Sequence, residues 1–494
     1  MATRFPNQTN ADVLDVLIVG AGLSGIGAAC HLQTKCPGKS YAILEARPRM
    51  GGTWDLFRYP GIRSDSDMYT LGYSFRPWSD AKAIADGPAI LAYIEATSRD
   101  YGVDRHVRYG LRVESASWSS REACWTVTAR ETSSGDTRSF KARFLLACAG
   151  YYDYESGYTP DLPGMERFRG RIVHPQQWTP DIAYEGKRVV VIGSGATAVT
   201  LVPELARTAA HVTMLQRSPT YVVSAPEKDR VATFLRGKLP ARTAYGITRW
   251  KNVALGMAFF AYCRRYPSQA KRLIVSQVRR HLRGSVPVNP HFTPSYNPWD
   301  QRLCLVPDAD LFDALREGRA SVVTDHIDTF TEDGIRLRSG TELQADLVVT
   351  ATGLKLKFLG GIDLEVDGRR LQPNETMVYK GMMFGDVPNL AFAIGYTNAS
   401  WTLKCDLTSE YVCRLLNHMD RRGLAICVPR ADPSVEAEPL LDFTSGYVRR
   451  SIDQFPRQGS RIPWRVYQNY ALDRIALKNG KLEDGVMTFS PASV

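Results

Sequence analysis

Two short runs of small residues carry the first chemical information in the chain: Gly20-Ala21-Gly22-Leu23-Ser24-Gly25 and, much later, Gly193-Ser194-Gly195-Ala196-Thr197-Ala198. This spacing suits a diphosphate. The first glycine permits a tight turn, the second lets the backbone approach the phosphates, and the third small residue lets helix and strand pack closely. Ligand choice is written at the end of the next apolar run in each case. Glu45 follows residues 41–44, and a carboxylate there accepts hydrogen bonds from a ribose diol. Arg217-Ser218 follows residues 212–216, and a guanidinium there binds a 2′-phosphate through paired, charge-assisted hydrogen bonds. The chemistry indicated is FAD at the first loop and NADPH at the second.

Each loop needs a strand before it and a helix after it. Residues 13–19 and 188–192 are apolar runs of strand length, and the stretches opening at Leu23 and Val199 read as helices. The expected architecture is α/β, with two Rossmann-like dinucleotide-binding domains, the second inserted in the first. Residues 1–150 and 380–494 are assigned to the FAD-binding domain, 151–225 and 291–379 to the NADP-binding domain, and 226–290 to a basic helical insertion. The units end alike, at Ala149-Gly150 and Ala351-Thr352-Gly353. The substrate pocket belongs in the cleft between them.

With 494 residues, 44% of them apolar, the chain has ample material for folded cores. Its net charge of +11 is concentrated: between residues 228 and 283 fourteen Lys and Arg face one acid, Asp229. There Trp250, Leu255, Phe259 and Phe260 interleave with Arg249, Lys251, Arg264, Arg265, Lys271 and Arg272. No apolar run reaches the length of a bilayer span. The segment has two readings, a solvated face that steers NADPH or a basic amphipathic surface in peripheral contact with an anionic membrane. No nucleic-acid module accompanies the charge. Nine scattered cysteines without a C-x-x-C pair argue for reduced thiols and a cytoplasmic setting, any membrane contact being on the inner face of the cell membrane. No secretory leader and no metal site are indicated.

Phe168-Arg169-Gly170-Arg171-Ile172-Val173-His174-Pro175-Gln176-Gln177-Trp178 fits F-x-G-x-x-x-H-x-x-x-W, and Gly52-Thr53-Trp54, Tyr59-Pro60-Gly61 and Asp65 fit G-x-W-x4-[FY]-P-G-x3-D. On these motifs the chain resembles the type I Baeyer–Villiger and flavin-containing monooxygenases over essentially its whole length. Runs 59–70, 298–307 and 395–404 are similar to the ethionamide-activating branch of mycobacteria. It departs from the usual pattern at His174-Pro175 and Trp178-Thr179, where most members have His-Thr and Trp-Pro.

The resemblance implies an enzyme dependent on FAD, NADPH and O2 that turns ketones into esters or lactones and oxidises thioethers or thioamides, through a peroxide at flavin C4a. Alternatives are a heteroatom oxygenase with little ketone activity and a non-oxygenating, membrane-docked flavoprotein. The resemblance also implies roles for residues. Arg302 lies over the flavin, where a permanent cation stabilises a peroxide anion, and Asp65 receives its guanidinium. Asp65 has a second reading, as a turn residue capping 66–69. Ser24, Thr53, Trp54, Asp55, Leu56 and the backbone of Val113 contact FAD, while Arg63, Ser64 and Asp65 approach the nicotinamide. His174 belongs to an interdomain hinge rather than to a proton shuttle.

Overall fold

Strand Leu14–Val19 is buried through its last four residues, as a parallel strand covered on both faces requires. It pairs in parallel with Tyr41–Glu45 on one side and with the end of Thr137–Ala147 on the other. A nine-stranded sheet grows around these three. Val107–Tyr109 extends it beyond Tyr41–Glu45, and the antiparallel pair Leu111–Ser119 and Cys124–Glu131 extends it the other way. Helices Leu23–Lys35 and Trp401–Arg422 cover one face, sharing a core that includes Ile26, Leu32, Leu407 and Tyr411. The computed structural model describes residues 13–440, Gly446 and 450–492.

The second sheet is parallel throughout, ordered Ala320–Thr324, His211–Gln216, Arg188–Ile192, Leu347–Thr350, Arg171–Val173. The chain passes between the two sheets along Tyr152–Gly157 and back along Leu354–Leu356, which pair antiparallel as one connector. The return comes earlier than residue 380: Asp363–Val366 already pairs with Leu111–Ser119, Asp363 opposite Ser115, and Arg369–Arg370 adds a further strand to the first sheet. Long-range register sets this boundary, and local pattern does not reveal it.

The basic insertion forms helices Arg230–Arg236, Ala241–Arg265 and Pro267–Leu282. Asp229, the lone acid, caps the first by accepting from the Ala232 amide at 3.0 Å and pairs with Lys251 at 2.5 Å. Arg249 points inward, donating to the carbonyls of Tyr69 and Gly72 at 2.8 and 2.7 Å and reaching Asp406 at 3.5 Å. Asp406 also meets His31 at 3.2 Å. Burial alone would raise the Asp406 carboxyl, but its hydrogen bond to His31 and the Arg249 charge hold it below its ordinary range. The insertion is thereby tied to the first sheet's domain through a buried ionic cluster. All nine cysteines are free and buried.

Candidate functional site

A cavity of about 550 Å³ opens where the ends of the two sheets approach each other, within the range of cofactor and ligand sites. Its floor is the first glycine loop. An added Cβ on Gly20, at φ +98°, would lie 2.7 Å from the Cys148 carbonyl, and one on Gly25 would lie 1.9 Å from the Gly20 carbonyl. Only glycine fits at either position. Gly22 stands at the N-terminus of helix Leu23–Lys35 with no side chain capping that helix, so its first amides face the cavity without a protein acceptor. Gly52, at φ +57°, brings a second stretch of bare backbone alongside, its virtual Cβ 3.0 Å from Gly22 Cα. This bare cradle fits a diphosphate.

Glu45 lines the same floor. Its two carboxylate oxygens accept from the Ala21 and Arg47 amides at 2.7 and 2.9 Å, so it braces the loop besides facing the cavity. Burial pushes its carboxyl up, against those two amides, which pull it down. Ser24 also lines the cavity, accepting from Trp401 Nε1 at 2.8 Å and donating to Cys405 Sγ at 3.3 Å. Thr53 meets the Tyr154 hydroxyl at 3.2 Å, and Trp54 and Val113 complete this part of the wall.

Asp55 and Leu56 are placed differently. Neither lines the cavity. The Asp55 carboxylate, 1% exposed, is enclosed by Arg47, Arg49 and Arg58, an anchor for the Gly52 turn rather than a cofactor contact. Leu56 packs into the apolar core of the second unit.

Arg302 and Asp65 meet inside the cavity, with Nη2 3.0 and 2.9 Å from the two carboxylate oxygens. The cap of the short helix Met68–Leu71 is Asp67, which accepts from the Thr70 amide at 3.1 Å, leaving Asp65 to face Arg302. Arg63 and Ser64 also line the cavity, but the Arg63 guanidinium is engaged by Asp310, 2.5 Å away on helix Asp310–Arg316. Tyr59 closes the wall between them, and burial holds its phenol well above the ordinary value, so it stays a hydrogen-bond donor.

Of the second glycine loop, Ala196 and Thr197 line the cavity, whereas Gly193, Ser194, Gly195, Ala198 and Val199 lie outside it. Gly193, at φ +138°, packs against Ala351, and Gly195 opens helix Ala196–Leu205 uncapped, with open space above it. Ser194 Oγ donates to the Ser218 carbonyl at 3.0 Å, holding loop and Arg217-Ser218 together. Arg217 is exposed and forms no ion pair among the described residues. An uncapped helix N-terminus beside an unpaired guanidinium fits a dinucleotide bearing a 2′-phosphate.

The signature residues Phe168, Gly170, His174 and Trp178 stand outside the cavity. Phe168 packs on Phe330, Trp178 on Tyr184, and a Cβ on Gly170 would strike the Asp346 carbonyl at 2.6 Å. His174 follows edge strand Arg171–Val173. Its Nδ1 accepts from the Gln176 amide at 3.1 Å and its Nε2 lies 3.0 Å from the Gly353 carbonyl, which requires the proton on Nε2. Burial holds its pKa below the ordinary value, only partly offset by that hydrogen bond. It therefore locks the connector, where Gly157 and Gly353 meet, and has no access to a reacting atom.

Sequence reasoning missed Tyr151, Tyr152, Tyr154, Tyr396 and Trp401 as cavity walls. The cluster Tyr151-Tyr152-Asp153-Tyr154 in a linker was the available signal, since aromatic residues in a polar connector need something to cover.

A family model described as flavin-binding monooxygenase-like matches residues 78–234, and one described as an NAD(P)-binding Rossmann-like domain matches residues 18–83. The FAD-containing monooxygenase EthA of Mycobacterium tuberculosis is 54% identical across 97% of this chain and 99% of its own. The putative FAD-containing monooxygenase MymA of the same organism is 52% identical across 97% and 98%. Among solved structures, cyclohexanone monooxygenase from a Rhodococcus species bound to NADP+ superimposes with a TM-score of 0.75 at 20% identity, covering 98% of this chain and 100% of that one. At that identity the likeness shows the shared fold.

Proposed function

The chain belongs to the family of FAD-containing monooxygenases, and from that membership we propose that it inserts one oxygen atom beside the carbonyl of a ketone, giving an ester or lactone, and also oxidises thioether or thioamide sulfur. FAD and NADP are its cofactors. When bound, FAD supplies electron transfer from NADPH and the activation of dioxygen. The stoichiometry is balanced: two electrons come from NADPH, one oxygen atom enters the product and the other leaves as water.

The protein's part is binding and electrostatics. The Gly20–Gly25 loop and Glu45 hold FAD, while the Gly193–Ala198 loop and Arg217 hold NADPH. Arg302 offers a guanidinium that cannot discharge on burial, and it stabilises negative charge developing on oxygen as a carbonyl is attacked. Asp65 fixes where that guanidinium points. Tyr59, Tyr151 and Trp401 keep water from the reacting atoms.

The observation that carries this reading is the Arg302–Asp65 pair inside the cavity, which both glycine loops enter. Arg302→Ala is expected to lower oxygenated product by about 10²–10³-fold, with FAD still co-purifying and NADPH oxidation continuing toward hydrogen peroxide. Ester formation near the wild-type rate would remove Arg302 from the mechanism.

For location, no helix among the described residues is long and apolar enough to cross a membrane. We infer peripheral contact through the basic helices, supported by the fourteen Lys and Arg that residues 228–283 carry against one acid.

A further inference from the structure

The most cationic segment is also where apolar side chains are left uncovered. Twelve large hydrophobic residues are exposed among the described residues, and seven of them lie between Val231 and Leu273. Two more, Leu472 and Ile475, sit on helix Tyr470–Asn479. That helix joins the same surface: the Trp250 ring lies 5.6 Å from Tyr470, and the Arg474 guanidinium lies 5.3 Å over Trp250. Lys251 and Asp229 also tie helix Arg230–Arg236, which exposes Val231 and Phe234, to Ala241–Arg265.

Helix Ala241–Arg265 carries apolar residues on both faces, burying Ala244, Tyr245, Val253 and Cys263 while leaving others outside. Ile247, Trp250, Ala254, Ala258 and Ala261 recur every three or four residues on the outward side with Leu255 beside them, at 46% exposure for Ile247 and 61% for Leu255, while Thr248 and Arg249 face inward. Arg249 prevents the helix from rolling. Turning the apolar stripe inward would pull a buried guanidinium away from Tyr69, Gly72 and Asp406, leaving that carboxylate with one charged partner fewer. The apolar face is thus presented permanently. Exposed cations stand at both ends of the helix, Lys238 and Arg242 at one and Arg265 with Arg264, which pairs with Asp300, at the other; Arg272 and Arg279 are exposed on the next helix.

Two occupants would cover such a face, another copy of the chain or a lipid surface. A twofold pairing presents the same patch to itself and would bring two segments of net +13 together, fourteen cations and one acid in each. An anionic bilayer answers both features, with charge for the cations and an acyl boundary for the stripe. We propose that this face docks the enzyme on anionic phospholipid, with Ile247, Trp250, Leu255, Leu472 and Ile475 entering the boundary between headgroups and acyl chains. This rests on the peripheral contact inferred above and deepens it in two ways: apolar residues take part, and the C-terminal helix belongs to the same surface.

The test uses FAD-loaded protein, detected by flavin absorbance, and sedimentation with phosphatidylcholine vesicles with and without phosphatidylglycerol. Binding is expected on the anionic vesicles, at least tenfold weaker on the neutral ones, and weakened when salt shortens the Debye length from about 8 Å at physiological strength to about 3 Å at 1 M. The double variant Leu255→Asp/Ile475→Asp changes two exposed positions and should lose vesicle binding at least tenfold, with turnover of a water-soluble ketone unchanged. Equal binding of the double variant and wild type would overturn the proposal, as would equal binding to both vesicle types. A wild-type dimer that the double variant converts to monomer, without vesicle binding, would assign the face to a second copy and equally overturn it. Because partition is read without turnover, failure of the oxygenase reading would show separately, as absent product from protein that still binds vesicles.

Discussion

Arg217 takes its meaning from its surroundings, an exposed guanidinium beside an uncapped helix N-terminus, with no carboxylate to satisfy it among the described residues. Losing charge-assisted contacts to a phosphate costs about 1.5–3 kcal/mol, so Arg217→Ala should raise the Michaelis constant for NADPH roughly 10- to 100-fold. NADH, lacking the 2′-phosphate, should be little affected. Steady-state kinetics with both nucleotides decide it, and equal weakening of both would refute the assignment. Single residues were legible where type alone limits role, as with Gly20, Gly25 and this arginine. They were illegible where several acids compete. Asp55, Asp65 and Asp67 are alike in sequence, yet three arginines enclose the first, Arg302 meets the second and the Thr70 amide claims the third.

Among the elements, the connector between the sheets is the most informative. His174 is held neutral where strands Tyr152–Gly157 and Leu354–Leu356 pair, its ring filling the space that a side chain at Gly157 would need. Its folded pKa lies below the ordinary value of 6.5, so the unfolded chain takes up the proton first as pH falls. The stability this group contributes is present above about pH 6.5 and is lost progressively below it, toward the folded pKa. Thermal melts should therefore show the wild type losing stability below that point more steeply than His174→Gln, and parallel pH profiles would contradict the account. The strand–loop–helix units were legible because their patterns are local. The early return of the chain at Asp363 was not, because it depends on pairing with Ser115, a partner no local pattern identifies.

At the scale of the whole molecule, the ion pairs Arg302–Asp65 and Arg63–Asp310 join residues of the two units at the cavity. Arg302 and Asp65 are 237 positions apart in sequence, and Arg63 and Asp310 are 247 apart. The first was accessible by family resemblance, the second only from the folded chain, since nothing near either residue marks its partner. Burial pushes the Asp310 carboxyl above its ordinary range, only partly offset by the Arg63 charge, so the pair is partly shielded from solvent. Asp310→Ala should loosen the approach of the two units, raising the Michaelis constant for NADPH about tenfold and increasing the share of NADPH that ends as hydrogen peroxide. FAD content should stay unchanged. Coupling equal to wild type would show that the pair does not hold the cleft.

In the proposed reaction this cavity transfers one atom of dioxygen to a carbonyl substrate. Conversion of a ketone with NADPH under isotopically labelled dioxygen, followed by mass spectrometry of the product, tests it most directly. One labelled oxygen is expected in each ester or lactone molecule, with the carbonyl oxygen unlabelled. An unlabelled product, or NADPH consumed entirely to hydrogen peroxide across ketones and thioethers alike, would contradict it.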